Sequence, residues 1–177
     1  MSLSLREAAL TGIFAGLYAA LVVLLAPISF GPVQLRVADV LIPLAALFGW
    51  PTILGVSLGC LIGNAYYFLG PQDVLLGPLA NLISAYLIFL LRKRPFLACV
   101  VGALPIGVVV GGYLWLFFSP PSILGLNLPV WGAMMLSITI SSLIAIAGLG
   151  YLLLKALARG GLLEPLRARG LRIYSGE

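Results

Sequence analysis

Apolar positions along this chain gather into six runs, 7–26, 37–50, 52–69, 74–91, 96–118 and 129–154, parted by short breaks rich in Pro, Gly and polar residues. Most runs approach the roughly 20 residues that carry a helix across a hydrocarbon core of about 30 Å. None keeps the strict alternation of a half-buried strand. The pattern predicts an all-α integral membrane protein whose single domain, 1–177, holds six transmembrane helices and a basic tail at 155–177. The run 37–50 is short for a crossing and contains Pro43. It is expected to kink there, to tilt, or to borrow part of the preceding loop. Residues 1–11 lack the basic n-region and small-residue cleavage site of a signal peptide, so the first run is expected to stay as a span.

Composition agrees. Apolar residues make up 62% and charged residues 8%, against roughly 45–50% and 25% in soluble domains, and the mean hydropathy is +1.18. The net charge of +5 matters less than its placement. Arg6, Arg92, Lys93, Arg94, Lys155, Arg159, Arg167, Arg169 and Arg172 all lie at the ends of the chain or in the turn after the fourth run. Six spans put those segments on one side, and an excess of Lys and Arg marks the cytoplasmic side. Both termini are therefore expected in the cytoplasm and the protein in the plasma membrane. The basic segments read as a topology signal with some attraction to anionic lipid, not as a nucleic-acid surface.

Arg36 is the exception. It lies with Asp39 in the stretch Ser29-Phe30-Gly31-Pro32-Val33-Gln34-Leu35-Arg36-Val37-Ala38-Asp39, which this topology places on the outer face together with Gln72 and Asp73. Charged side chains are rare and costly within membranes, and usually functional. At 1.5 Å of rise per residue, Asn64 falls roughly 8 Å below the outer end of the third run and Asn81 about 10 Å below the start of the fourth. Tyr113 and Trp131 sit near the outer ends of the fifth and sixth. These residues predict a polar, aromatic pocket open to the outside and closed beneath by apolar helices. Bland readings stand beside it. Asn64 and Asn81 also suit helix-to-helix hydrogen bonds, Trp115 and Trp131 suit an interfacial belt, and Arg36 with Asp39 suits a salt bridge that shapes the loop.

What the chain lacks narrows its chemistry. There is no His, which removes Ser–His and Cys–His nucleophilic pairs and His-ligated zinc. Cys60 and Cys99 both sit within apolar runs and read as small buried fillers, so neither a metal site nor a cofactor is expected. Neither Lys93 nor Lys155 follows a Gly-x-x-x-x-Gly pattern, so the chain has no P-loop with which to hydrolyse ATP. A capture pocket without an engine points to a subunit energised by partners. Small residues recur every fourth position, as Ala8, Gly12, Gly16 and Ala20 with Ala15 and Ala19 alongside in the first run and as Gly55, Gly59 and Gly63 in the third. The row on the first run offers a docking face for a partner, with ordinary packing in the bundle as the bland reading.

The chain resembles the substrate-binding (S) components of energy-coupling-factor (ECF) vitamin transporters, and within them the QueT family associated with queuosine precursors. The resemblance is carried by Ser29-Phe30-Gly31-Pro32-x-Gln34-x-Arg36 with Asp39 three residues on, by Leu58-Gly59-Cys60-Leu61-Ile62-Gly63-Asn64, and by Gly70, Asp73 and Gly77. The chain departs from the family in carrying Ala38-Asp39 for a usual Ser-Glu, Asn81 for Thr, and no acid in its last span. The resemblance implies a six-helix S-component-like bundle that captures a 7-deazaguanine (a queuosine precursor or queuine) from outside. It implies delivery inward by toppling, driven by a transmembrane coupling subunit and two ATPases, with Ala15-x-x-x-Ala19 against the coupling subunit. Against such a ligand Asp39 or Asp73 would accept and Gln34, Arg36 or Asn81 would donate, with Tyr113 or Trp131 stacking on the ring, while Asn64 and Gln72 are candidate contacts from their place in the outward pocket. An S component for another vitamin or nucleobase, a membrane-embedded enzyme using Asp39 and Asp73, and a channel or structural subunit stay open as alternatives.

Overall fold

The computed structural model describes residues 4–30, 34–120, 128–159, 163–168 and 170–174. Among them the chain is helical, with no strand. The first helix, α1 (Leu5–Leu24), starts two residues before its apolar run because Ser4 and Glu7 form a capping box. The Glu7 amide donates to Ser4 Oγ at 3.3 Å and the Ser4 amide to Glu7 Oε2 at 2.8 Å, which satisfies two of the helix's free donors. Pro27 begins a separate short turn, Ala26–Ser29.

The next helix, α2 (Val37–Phe48), is irregular. It runs as a 3₁₀ helix over Val37–Leu44 and as an α-helix over Ala45–Phe48. Pro43 lies in the 3₁₀ part and offers no N–H to a regular ladder. At about 2.0 Å per 3₁₀ residue and 1.5 Å per α residue, α2 spans about 22 Å, short of a 30 Å core. It is nevertheless mostly buried: Ala38, Asp39, Leu41, Ile42 and every residue from Pro43 to Phe48 are covered.

Gly49, at φ +63°, turns the chain into α3 (Trp50–Tyr66). Then follow α4 (Pro71–Leu90), α5 (Pro95–Leu114) and α6 (Val130–Arg159). Four of these helices, α1, α4, α5 and α6, are long and apolar enough to cross a membrane. The third run was expected to reach residue 69 but α3 stops at Tyr66, giving 17 residues. The sixth was expected to end at 154 but α6 continues to Arg159. At about 45 Å it outruns the hydrocarbon core.

Order in space differs from order in sequence. α1 packs on α3, and α3–α4, α4–α5 and α5–α6 follow as neighbours, while α2 lies against α1, α3, α4 and α6 at once. The α1–α3 seam rests on missing side chains. A methyl group at Gly55 would meet Phe14 Cβ at 2.5 Å, and one at Gly59 would meet the Ala15 carbonyl and Tyr18 Cβ, each at 2.6 Å. Within α6, Leu143–Gly150 widens to a π-helix and meets the 3₁₀ stretch of α2, where Gly150 admits the Pro43 ring. Two irregular segments thus pack on each other. The tail returns to the basic end, where the Tyr174 amide donates to the Leu47 carbonyl at 2.8 Å.

Candidate functional site

The polar residues near one end of the bundle form two acid-centred clusters. Asp39, on the first turn of α2, accepts a short hydrogen bond from the Tyr18 hydroxyl at the middle of α1. That hydroxyl in turn accepts from Asn81 Nδ2 of α4 at 2.8 Å. Asp73, on the first turn of α4, accepts at Oδ1 from the Tyr113 hydroxyl of α5 at 2.7 Å. Its backbone carbonyl accepts from Asn64 Nδ2 of α3 at 2.9 Å. Each acid therefore ties two other helices to its own.

Arg36 shares a cavity wall with Asp39 but bonds elsewhere. Its Nη1 donates to Cys60 Sγ at 3.4 Å, and its guanidinium lies 5.6 Å from the centre of the Phe30 ring. Cys60 leads on to the Asp73 cluster through Gly77. A methyl group at Gly77 would lie 2.6 Å from Asn64 Nδ2, 3.5 Å from Cys60 Sγ and 3.7 Å from the Tyr113 hydroxyl. Only a glycine lets α4 approach these groups so closely. Arg36, Asp39, Asn64, Asp73 and Asn81 are all at most 6% exposed, and one formal negative charge is in excess when both acids are ionised. The Arg36–Asp39 salt bridge, the bland alternative to ligand contact, is not formed: among the described residues the Arg36 guanidinium makes no ion pair.

Several buried polar atoms here have no partner among the described residues: Gln34 Nε2 and Arg36 Nη2 as donors, Asn64 Oδ1 and Asp73 Oδ2 as acceptors. The hydroxyls of Ser29, Thr52 and Ser84 share that state. Native proteins pair nearly all such atoms, so a cluster of exceptions calls for a reason. Gln34, Arg36 and Asp39 face a cavity completed by Ile106 and Val110 of α5 and by Ile138 and Ser142 of α6. It offers about 10 Å³, room for about one water. Gln34 itself holds φ at +39°, in the left-handed region that non-glycine residues seldom enter.

Of the residues singled out in the sequence, Gln34, Arg36, Asp39, Asn64, Asp73, Asn81 and Tyr113 come together in this buried network. Gln72 and Trp131 do not: Gln72 is exposed and Trp131 is 54% exposed at the first turn of α6. Ala15 and Ala19 are buried, and the backbone of Ala15 lies directly against Gly59, so the face assigned to a partner subunit is already filled by α3. The exposed row on α1 is Ala8, Gly12, Gly16 and Ala20, and a methyl group at Gly12 or Gly16 would meet nothing within 4 Å. Tyr18 and Cys60 were missed. The signal for Tyr18 was a tyrosine far from either end of its span, where an interfacial ring has no place.

The family model for the QueT transporter matches residues 8–159. No curated protein and no solved structure matches the chain.

Proposed function

The chain belongs to the QueT transporter family, and from that premise we propose that it is the substrate-capturing S component of an ECF-type importer for a 7-deazaguanine. It is then a transport subunit rather than an enzyme, with ATP hydrolysis in two partner ATPases and force relayed by a transmembrane coupling subunit. The observation that carries the ligand assignment is the set of four unpaired polar atoms. Two donors, Gln34 Nε2 and Arg36 Nη2, and two acceptors, Asn64 Oδ1 and Asp73 Oδ2, match a planar ligand that itself offers both. A guanine-like edge has ring and amino N–H groups for the acceptors and a carbonyl oxygen for Arg36. Bonds in which one partner is charged are about twice as strong as neutral ones. The excess acid suits an aminomethyl cation on the ligand as well.

The cavity beside Gln34, at about 10 Å³, is far smaller than the roughly 300 Å³ or more of a ligand pocket. Capture therefore needs α2 and the segment before it to swing away from α5 and α6. The strained backbone at Gln34 is suited to such a hinge. With six spans and the basic ends in the cytoplasm, this network opens to the outside. Docking of the coupling subunit falls to the exposed Ala8-Gly12-Gly16-Ala20 row of α1, since the opposite face holds α3.

Calorimetric titration of the purified protein with 7-deazaguanines, riboflavin, biotin and thiamine tests the ligand class. Saturable heat with the 7-deazaguanines alone is expected. Tight binding of a vitamin with no response to a deazaguanine overturns the assignment.

A further inference from the structure

A second cavity lies at the opposite, basic end of the bundle, with a volume of about 290 Å³. Arg92 follows the end of α4, while Lys155 and Arg159 lie on the last two turns of α6, and all three line it. Tyr151 and Tyr174 supply aromatic walls, and the floor is apolar, including Leu47 and Leu154. Among the described residues no acid lines the cavity, and none of its three cations has a carboxylate partner. Like charges gathered without a counter-charge repel one another, so the arrangement is at its most stable with an anion between them.

Arg92 and the aromatic walls are already held in place. Arg92 donates through Nη1 to the Phe89 carbonyl at 3.0 Å and stacks over the Phe89 ring at 4.6 Å. Tyr174 closes the wall by meeting Phe89 edge-on at 4.9 Å, with its amide fixed to Leu47. On the outer side of the cavity Tyr151 meets Phe96 at 5.4 Å. Phe96 and Leu152 are 56% and 60% exposed, so an apolar, lipid-facing surface adjoins the cationic cavity.

We propose that this cavity binds a phosphate-ester anion, supplied by the headgroup of an anionic phospholipid whose acyl chains run past Phe96 and Leu152. Basic pockets between transmembrane helices bind anionic headgroups by this combination of charge and adjoining apolar surface. Inorganic phosphate shares the chemistry but makes no use of that surface. The site is separate from the Asp39–Asp73 network and does not depend on which ligand that network takes.

The test uses the full chain purified in a neutral detergent, with lipid retention followed by native mass spectrometry and unfolding followed thermally. Added lipids are phosphatidylglycerol, cardiolipin and phosphatidylcholine, with millimolar inorganic phosphate as competitor. The two anionic lipids are expected to bind and raise the unfolding temperature, and phosphatidylcholine is not. Lys155→Gln with Arg159→Gln weakens anionic-lipid binding by roughly 25-fold, about fivefold for each charge removed. Lys93→Gln with Arg94→Gln removes the same charge from exposed positions that do not line the cavity, and leaves binding nearly unchanged. Lys155→Arg with Arg159→Lys retains binding, which separates lost charge from lost folding. Equal losses in the two Gln pairs reduce the effect to diffuse surface charge and overturn the proposal, as does equal binding of phosphatidylcholine. Full displacement by inorganic phosphate overturns the assignment to a lipid.

Discussion

Tyr18→Phe removes one oxygen atom and strands two buried groups. The Tyr18 hydroxyl donates to Asp39 and accepts from Asn81, and all three residues are at most 2% exposed. With Asp39 ionised, the lost bond is charge-assisted and worth about 1.5–3 kcal/mol. The Asn81–Tyr18 bond is neutral and joins two membrane helices, where such bonds average about 0.6 kcal/mol. The ring is kept, so no large cavity adds to the loss. The expected destabilisation is about 2–3.5 kcal/mol, or roughly 30- to 400-fold in the folding equilibrium. Reversible unfolding in mixed micelles, titrated with a denaturing detergent and followed by circular dichroism, measures it. A double-mutant cycle with Asn81→Ala isolates the second bond, with a coupling near 0.6 and at most about 1.7 kcal/mol expected. A Tyr18→Phe protein within about 0.5 kcal/mol of the parent, or a cycle with no coupling, refutes the idea that this hydroxyl joins α1, α2 and α4.

Other substitutions separate binding, packing and docking. Asp39→Asn keeps the size and can still accept from Tyr18, yet it removes the charge, so affinity for a 7-deazaguanine should fall by about tenfold or more; an unchanged Kd in calorimetry sinks that role. Gly59→Leu forces a side chain into the Ala15 backbone and Tyr18 at 2.6 Å and should cost about 1–3 kcal/mol or more, read as lost stability in the same micelle titration. Gly16→Leu points into open space and should leave stability unchanged while lowering co-purification with the coupling subunit; intact co-purification argues against that docking row. Gly49→Ala places a methyl 2.8 Å from the Tyr174 ring at a φ of +63°, and a stability loss of about 1 kcal/mol or more with faster proteolysis of the tail is expected.

Membrane residence, helical class and the polar set could be read from the sequence, because each rests on local quantities. Apolar run length decides what crosses a bilayer, and rare polar residues stand out against so much hydrocarbon: Arg36, Asp39, Asn64, Asp73 and Asn81 were visible for that reason. The 3₁₀ form of α2 was not visible, since Pro43 announces an irregularity without saying which helix will cover it. Nor did the spacing of small residues reveal which row α3 would take. Ala15 and Ala19 look as available as Gly12 and Gly16 until Gly55 and Gly59 are laid against them. Pairing was equally hidden. Tyr18 and Asp39 are 21 residues apart, and Tyr18 and Asn81 are 63, with nothing in either local sequence to mark the other. Run length and composition act within one helix and are written along the chain. Which hydroxyl meets which carboxylate depends on helix rotation and neighbour order, and those are settled only when the whole bundle packs.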